Sequence, residues 1–592
     1  MLNTKATVRD FSGGLNVADS EQNLSSKYAR ELTNLVVDID GSIWLRQGTK
    51  LFADIAALSD YPISNVRYFV QYLIAVNTRG EVFAVDARGT VAKIWDAVIA
   101  NALRPGLGIW GAAKSVAFEE AKGELIIANG MDKPLSMTSA LRVDYLADLG
   151  TGSNINVPVG LIMKWFANHL FIADGYTLHV SERNAAGTYD GDPSTQFTNT
   201  FDMRSYVSTG DTEIIALHPF KNFLLVCFRE VVVPIQIVED ATATPKLALN
   251  VSQDSIINNY GSFSYRTAED LGSNIYNCDI VGVSEFSLST FTKILSPDRP
   301  SRFIDPLLQP AINKLSVDSL LRDTFSVYDR RLAAYMLFMP NAEAKYQTES
   351  LCFNYRYLDK LKISAWSVYR GWNWHAATRS SEGNVFYARN NCTKIFVQGD
   401  RLTNPLWADF IGEQETFDDS TYFTDGTGFG PVANVNDSGL PIEWAWELPE
   451  ADFKSAAQSK TLRYIALNTE GTEAITCKVF VDGQYYAQNL VGEAFSDDTL
   501  FTDGFGFYSY SQLPITPALT LEFIARDAGG YGLQQYGNSP YGGGNNTGIR
   551  TLTYAPTKFN TMKLRFSGRA NGPLRFVSIT PLYMEGTIRR LL

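Results

Sequence analysis

The chain has 592 residues, too many for one hydrophobic core, and should divide into two to four domains. Its 29 Tyr and 35 Phe, with no long Ala/Glu/Lys/Leu tracts, favour strands over helical bundles. With 51 Lys and Arg against 63 Asp and Glu, a net charge of −12 and no basic stretch, the composition excludes a protein that grips nucleic acid by its phosphates.

The chain opens with polar residues and no apolar signal core, then Phe11-Ser12-Gly13-Gly14-Leu15. A short helix is expected from about Ser25 to Val36, capped by Ser25 or Ser26, with Tyr28, Leu32 and Leu35 on one face. Asp40-Gly41 then signals a hairpin turn between two apolar strands, the second running through Trp44, Leu45 and Arg46 to Gly48. We take residues 1–60 as an N-terminal arm.

From there a short apolar strand keeps returning. It appears as Tyr72-Leu73-Ile74-Ala75, Glu124-Leu125-Ile126-Ile127-Ala128, His169-Leu170-Phe171-Ile172-Ala173 and Phe223-Leu224-Leu225-Val226-Cys227. Looser copies are Asn274-Ile275-Tyr276-Asn277, Arg331-Leu332-Ala333-Ala334-Tyr335 and Asn384-Val385-Phe386-Tyr387-Ala388. Their first apolar residues fall at 73, 125, 170, 224, 275, 332 and 385, at intervals of 45 to 57. A second strand often follows a Gly-containing turn, as at Thr78-Arg79-Gly80 and Asp174-Gly175. A period near 50 residues with about four short strands per unit is that of a β-propeller blade. The expected fold is therefore all-β, with a propeller of six or seven blades over residues 61–403. The Ile-Ala or Val-Cys endings place a small residue where a blade is crowded.

Residues 404–555 read as an additional, inserted β-sandwich-like domain. In it Glu415–Phe429 nearly recurs as Glu493–Phe507, both acidic, Gly-rich and aromatic. The order of acids does not follow a calcium-binding EF-hand loop, so these read as duplicated exposed turns. The stretch 527–548, rich in Gly, Tyr and Asn, reads as a loop or tip that packs no core. Residues 556–592 supply closing strands at Met562–Phe566 and Leu574–Phe576.

A search for chemistry finds none. His169, His179, His218 and His375 do not pair at metal-ligand spacing. The five cysteines are far apart and read as buried small hydrophobes, which fits a soluble protein made in a reducing cytoplasm. The most apolar region, Phe223 to Val238, is interrupted by Arg229, Glu230 and Pro234 and is not expected to enter a membrane. There is no phosphate loop, nucleophile elbow or Ser-x-Asp-x-Gly-x-Thr-Trp box. The expectation is a non-enzyme with no cofactor and no metal.

Phe11-x-Gly13-Gly14-Leu15, Asn34, Asp40-Gly41 and Leu45-Arg46-x-Gly48 resemble, in this order, the opening of podovirus tail nozzle proteins, also called tail tubular protein B or tail hub proteins. The segments Glu213–Phe228 and Tyr260–Ser284 look like blades of that family, and the closing strands are similar too. Residues 404–555 have no counterpart in its shorter members. The resemblance implies a hexameric ring below the head-to-tail adaptor of a virion tail, around the channel by which DNA leaves, carrying fibres or spikes. It marks Phe11, Gly13, Gly14, Asn34, Asp40, Gly41, Arg46 and Gly48 as an assembly motif. A carbohydrate-binding or carbohydrate-cleaving propeller is the second reading, with Trp366, Trp372, Trp374 and Trp407 available to stack on sugars. An axial pocket of acids and Arg would favour it.

Overall fold

A computed structural model describes residues 3–5, 7–99, 110, 115–146, 157–181, 197, 199–207, 213–239, 247–251, 255–271, 273–288, 295–341, 350–358, 363–401, 405–409, 440–451, 459–470, 475–481, 484–485, 521–523, 547–570 and 572–585. They form two units. One comprises Lys50–Asn354 and Gly371–Gln398; the other comprises Met1–Thr49, Tyr355–Arg370 and Gly399–Leu592.

The first unit is a propeller of seven antiparallel blades. Blades 1 to 5 begin at Ile63–Phe69, Ala117–Ala121, Ile162–Phe166, Ala216–Phe220 and Glu269–Leu271 and run four strands in sequence order, with Ile257–Asn258 added to blade 4 as a fifth. Blade 6 begins with Phe325–Asp329 and Ala334–Pro340. Its remaining strands, Ser350–Leu358 and Ile363–Trp372, carry the chain into the second unit and back. Blade 7 joins Trp374–Arg379, Val385–Arg389 and Lys394–Gln398 to Thr49–Asp54 as its outer strand, so residues more than 300 apart in sequence close the ring.

Six of the seven repeated apolar segments are the second strand of a blade. In the sixth copy Leu332 and Ala333 lie in the turn instead, and the strand starts at Ala334. The repeat is continuously apolar, not alternating, because each second strand is buried on both faces. Leu73 and Ala75 pack on Ala376, Phe386 and Ala388 of blade 7, while Ile74 and Val76 pack on Leu125 and Ile127 of blade 2. Ile126 and Ala128 in turn meet Leu170 and Ile172 of blade 3. The small residues at the strand ends, Ala75, Ala128, Cys227 and Ala388, are fully buried.

Two helices, Asp305–Asn313 and Val317–Asp323, lie in the chain between blades 5 and 6, an addition to the expected all-β unit.

The second unit is a sandwich of two sheets, as expected for its 404–555 part. One runs in the order Thr547–Phe559, Lys460–Glu470, Arg575–Glu585, Ile43–Leu45 and Leu35–Val37, with Asn3–Lys5 also paired to Arg575–Glu585. The other includes Glu31–Thr33, Leu440–Glu447, Met562–Ala570 and Ile475–Val481. Trp444 and Trp446 of the second sheet each lie 5.2 Å from the ring of Phe576 in the first, filling the space between them. Described strands from residues 1–49, from the 404–555 segment and from 556–592 thus share one unit, while residues 50–60 fall in the propeller unit.

The expected helix at 25–36 is a correction. Residues Tyr28–Ala29, Glu31–Thr33 and Leu35–Val37 are short strands, and the helical element nearby is a single 3-10 turn, Glu21–Asn23. Asn34 takes a left-handed conformation (φ 56°), which breaks any helix there. Its neighbours Thr33, Val36 and Val37 are β-branched and pair into both sheets. The duplicated acidic segments 415–429 and 493–507, and the 527–548 stretch up to residue 546, lie outside the described residues.

Candidate functional site

The eight motif residues all fall in the sandwich unit, where Asn34 and Arg46 meet directly and Phe11 meets Gly41. Asn34, held left-handed, uses its side chain three ways: Nδ2 donates to the Glu443 carbonyl (2.6 Å), and Oδ1 accepts from Arg46 Nε and the Arg370 amide (2.9 Å each). Arg46, fully buried, also forks onto Asp409, with Nη1 to Oδ1 at 3.1 Å and Nη2 to Oδ2 at 2.6 Å. Gly48 lies flat on the strand bearing Asp409; a Cβ there would stand 1.9 Å from the Ala408 carbonyl oxygen. Gly14 (φ +63°) crosses Ala365, where a Cβ would stand 2.8 Å away, and Gly13 faces the ring of Tyr28. Phe11 meets Trp446 edge-on at 4.8 Å, and its amide donates to the carbonyl of Gly41. Asp40 bonds Ser42 and Arg575. Burial works against its charge, but the Ser42 bonds and the Arg575 guanidinium outweigh that and hold its carboxyl below the usual range. Most of these groups are interior, so what they do in one chain is fasten the sandwich.

The second site is the propeller axis, and the sequence reading did not find it. A cavity of about 470 Å³ runs along it, lined by the first strand of every blade. Six residues before the first apolar residue of each repeat stand Arg67, Glu119, Lys164, His218, Glu269, Ser326 and Arg379, and all seven line the cavity. In blades 1 to 5 these occupy one register position, opposite Ile74, Ile126, Phe171, Leu225 and Tyr276. That spacing was the available signal.

Charges on this ring are of both signs. Lys164 pairs with Glu119 at 2.9 Å, and Arg67 with Glu120 at 3.0 Å. Arg266, just inside, is tied to the carbonyls of Arg322 and His375. Glu269 keeps some surface open to the cavity but is surrounded by protein. That desolvation pushes its carboxyl up to about 7, against the pull of Arg379, Arg67 and Lys164. His218 in the wall is driven the other way, down to about 3, by burial and by the charge of Lys164.

The remaining candidates are structural. His169 bonds the Ser181 carbonyl at 2.6 Å, and burial takes His375 down to about 3. Burial also lowers His179, against the charge of Asp174. Trp366, Trp372 and Trp374 are buried, so they are core and not a sugar platform. No two of the five cysteines are bridged by a disulfide, and four are buried. Among the described residues, no three His, Cys, Asp or Glu side chains gather to hold a metal, and no helix is long and apolar enough to cross a membrane.

No protein-family model and no curated protein matches the chain. Among solved structures it is similar to a streptogramin B lyase, with 11% identity over 60% of this chain and 98% of that one, at a TM-score of 0.36. It is similar to the Neurospora crassa Pan2 WD40 domain at 9%, over 61% and 98%, with a TM-score of 0.33. With PorZ of Porphyromonas gingivalis the identity is 13% over 58% of this chain at a TM-score of 0.32, and the chain spans 36% of that protein's length. At such identities the likeness is one of fold alone.

Proposed function

We propose that the chain is a structural subunit of a short-tailed bacteriophage tail, one copy of a hexameric nozzle ring below the head-to-tail adaptor. In this reading it carries out no turnover and needs no cofactor. It offers outer surfaces to fibres or spikes, and DNA passes it without sequence-specific binding. The observation that carries the reading is a cluster within the motif: Asn34, Arg46 and Gly48, three of the residues by which the sequence resembles nozzle proteins, lock onto Ala408 and Asp409. A set of positions that depend on one another is what a family preserves together. The net charge of −12 fits a wall past which phosphates slide. The axial cavity, about 470 Å³, has room for one drug-sized molecule. A duplex, whose major groove alone is about 12 Å wide, does not pass there; its path is the space that the ring of copies encloses.

Light scattering on the purified protein, alone and with the adaptor ring, tests this. A hexamer, or a monomer that assembles only on the adaptor, is the expected result. A monomer that ignores the adaptor sinks the reading.

One observation favours the sugar-directed alternative, and it is the presence of acids and guanidinium groups around the propeller axis.

A further inference from the structure

Blades 7 and 1 meet where the ring closes, and their first strands touch: the Tyr68 amide donates to Thr378 Oγ1 at 3.0 Å. Each strand brings an exposed arginine to the cavity there, Arg379 and Arg67. Arg67 shares Glu120, an exposed partner whose hold is weak. Arg379 makes one long bond, 3.4 Å, to the Tyr328 carbonyl, and among the described residues no carboxylate lies within ion-pair distance of it. Across the cavity Glu269 accepts no hydrogen bond among the described residues, yet it feels the charges of Arg379, Arg67 and Lys164. A guanidinium with open donors and a carboxyl with open lone pairs thus face one small space. The rings of Tyr68 and Tyr328 and the hydroxyls of Ser326 and Ser381 also line it.

We propose that the propeller axis binds a small hydroxylated carboxylate of the sugar-acid class, its carboxylate held by Arg379 and Arg67 and a hydroxyl turned to Glu269. Arg supplies the planar fork a carboxylate needs. The Tyr68 ring lines the cavity and can meet the C–H groups of a sugar, Tyr328 carries the Arg379 guanidinium over its ring at 5.1 Å, and the cavity has the volume of a small-ligand pocket. This deepens the sugar-directed alternative and does not rest on the nozzle reading, because ring assembly and axial binding hold or fail separately.

The ligand's carboxylate stays ionised across the neutral range, so the pH dependence comes from the protein. Glu269 titrates near 7. Around it stand the cations Arg379, Arg67 and Lys164, Glu119 and Glu120 are paired with Lys164 and Arg67, and burial keeps His218 neutral. Asp270 beside it and the Tyr335 phenol are both raised by burial. As pH falls through about 7 Glu269 gains a proton, the cations lose an internal anion, and they turn to the ligand. Binding therefore tightens on acidification.

The test is calorimetric titration of the full chain with glucuronate, with glucose as its uncharged twin and inorganic phosphate as an anion without hydroxylated carbon. Saturable binding of glucuronate, about tenfold tighter than either control, is expected. Arg379→Ala, on an exposed side chain, should weaken it about tenfold or more with an unchanged melting temperature. Glu269→Gln should bind equally at about pH 6 and about pH 8, where the wild type differs. An oligouronate that binds tighter than the monosaccharide identifies a polysaccharide end as the source, and equal affinity identifies a free sugar acid. No glucuronate binding by folded protein overturns the proposal. So does glucose or phosphate binding as tightly, or an Arg379→Ala affinity equal to wild type.

Discussion

Arg46 directs its guanidinium wholly inward, to Asn34, Asp409 and the carbonyl of Gln47. A buried cation of this kind is a liability when cut from its partner, because the group left behind has neither water nor a counter-charge. Arg46→Ala should therefore cost about 3–5 kcal/mol in chemical denaturation. Arg46→Lys should fall between, since it keeps the charge but not the fork. A loss below about 1 kcal/mol, the range of a surface pair, would mean that the cluster does not hold the sandwich together. Part of this site was legible. The glycines and the Arg-x-Gly were picked out by their order, and contact with Ala408 and Ala365 now explains why Gly48 and Gly14 bear no side chain. Asp409 was not legible. Only folding brings it beside Arg46, and neither its neighbours nor its spacing marks it out from other acids.

Hairpins, at the scale of the element, show why the repeat was readable and its turns were not. Pairs Phe69↔Tyr72, Ala121↔Glu124, Phe166↔His169, Phe220↔Phe223 and Leu271↔Asn274 leave two residues for each turn between first and second strands. Two-residue hairpins take turns that need positive φ and usually advertise themselves by Asn-Gly. Here Val70 (φ 55°), Lys122 (φ 52°), Ala167 (φ 48°) and Lys221 (φ 56°) occupy those places. The strands on either side are buried and impose the geometry, so the turn residue need not favour it. Val70, β-branched and exposed, is the most strained of them. Val70→Gly or Val70→Asn should raise stability by about 1 kcal/mol. No gain in thermal or urea unfolding would show that the strain is relieved elsewhere. The expected helix at 25–36 failed for a related reason. Tyr28, Leu32 and Leu35 have helical spacing, yet the left-handed Asn34 divides them between two sheets.

For the whole molecule, intervals of 45 to 57 residues pointed to six or seven blades, and seven are present. The axial cavity stayed hidden because its lining is gathered one strand at a time, from Asn65 to Ser381. No short window of sequence contains two neighbouring blades. The ring also depends on Thr49–Asp54, which completes blade 7 against Lys394–Gln398 and brings Phe52 onto Phe386 at 4.8 Å. A chain lacking residues 1–54 would leave an open sheet edge and an unclosed ring. Its unfolding in a calorimeter should broaden and shift downward, with aggregation on heating. A truncated chain that melts as sharply and at the same temperature would show that the closure contributes nothing.

The strand at 49–54 leaves the ribosome long before its partner at 394–398. Chains grow at roughly 5–20 residues per second, so it waits tens of seconds with its hydrogen-bonding edge open. The sandwich waits longer still, because Asn3–Lys5 pairs with Arg575–Glu585. Both units thus join an early strand to one made much later. A product broken off during synthesis therefore presents raw strand edges, which proteases and chaperones recognise.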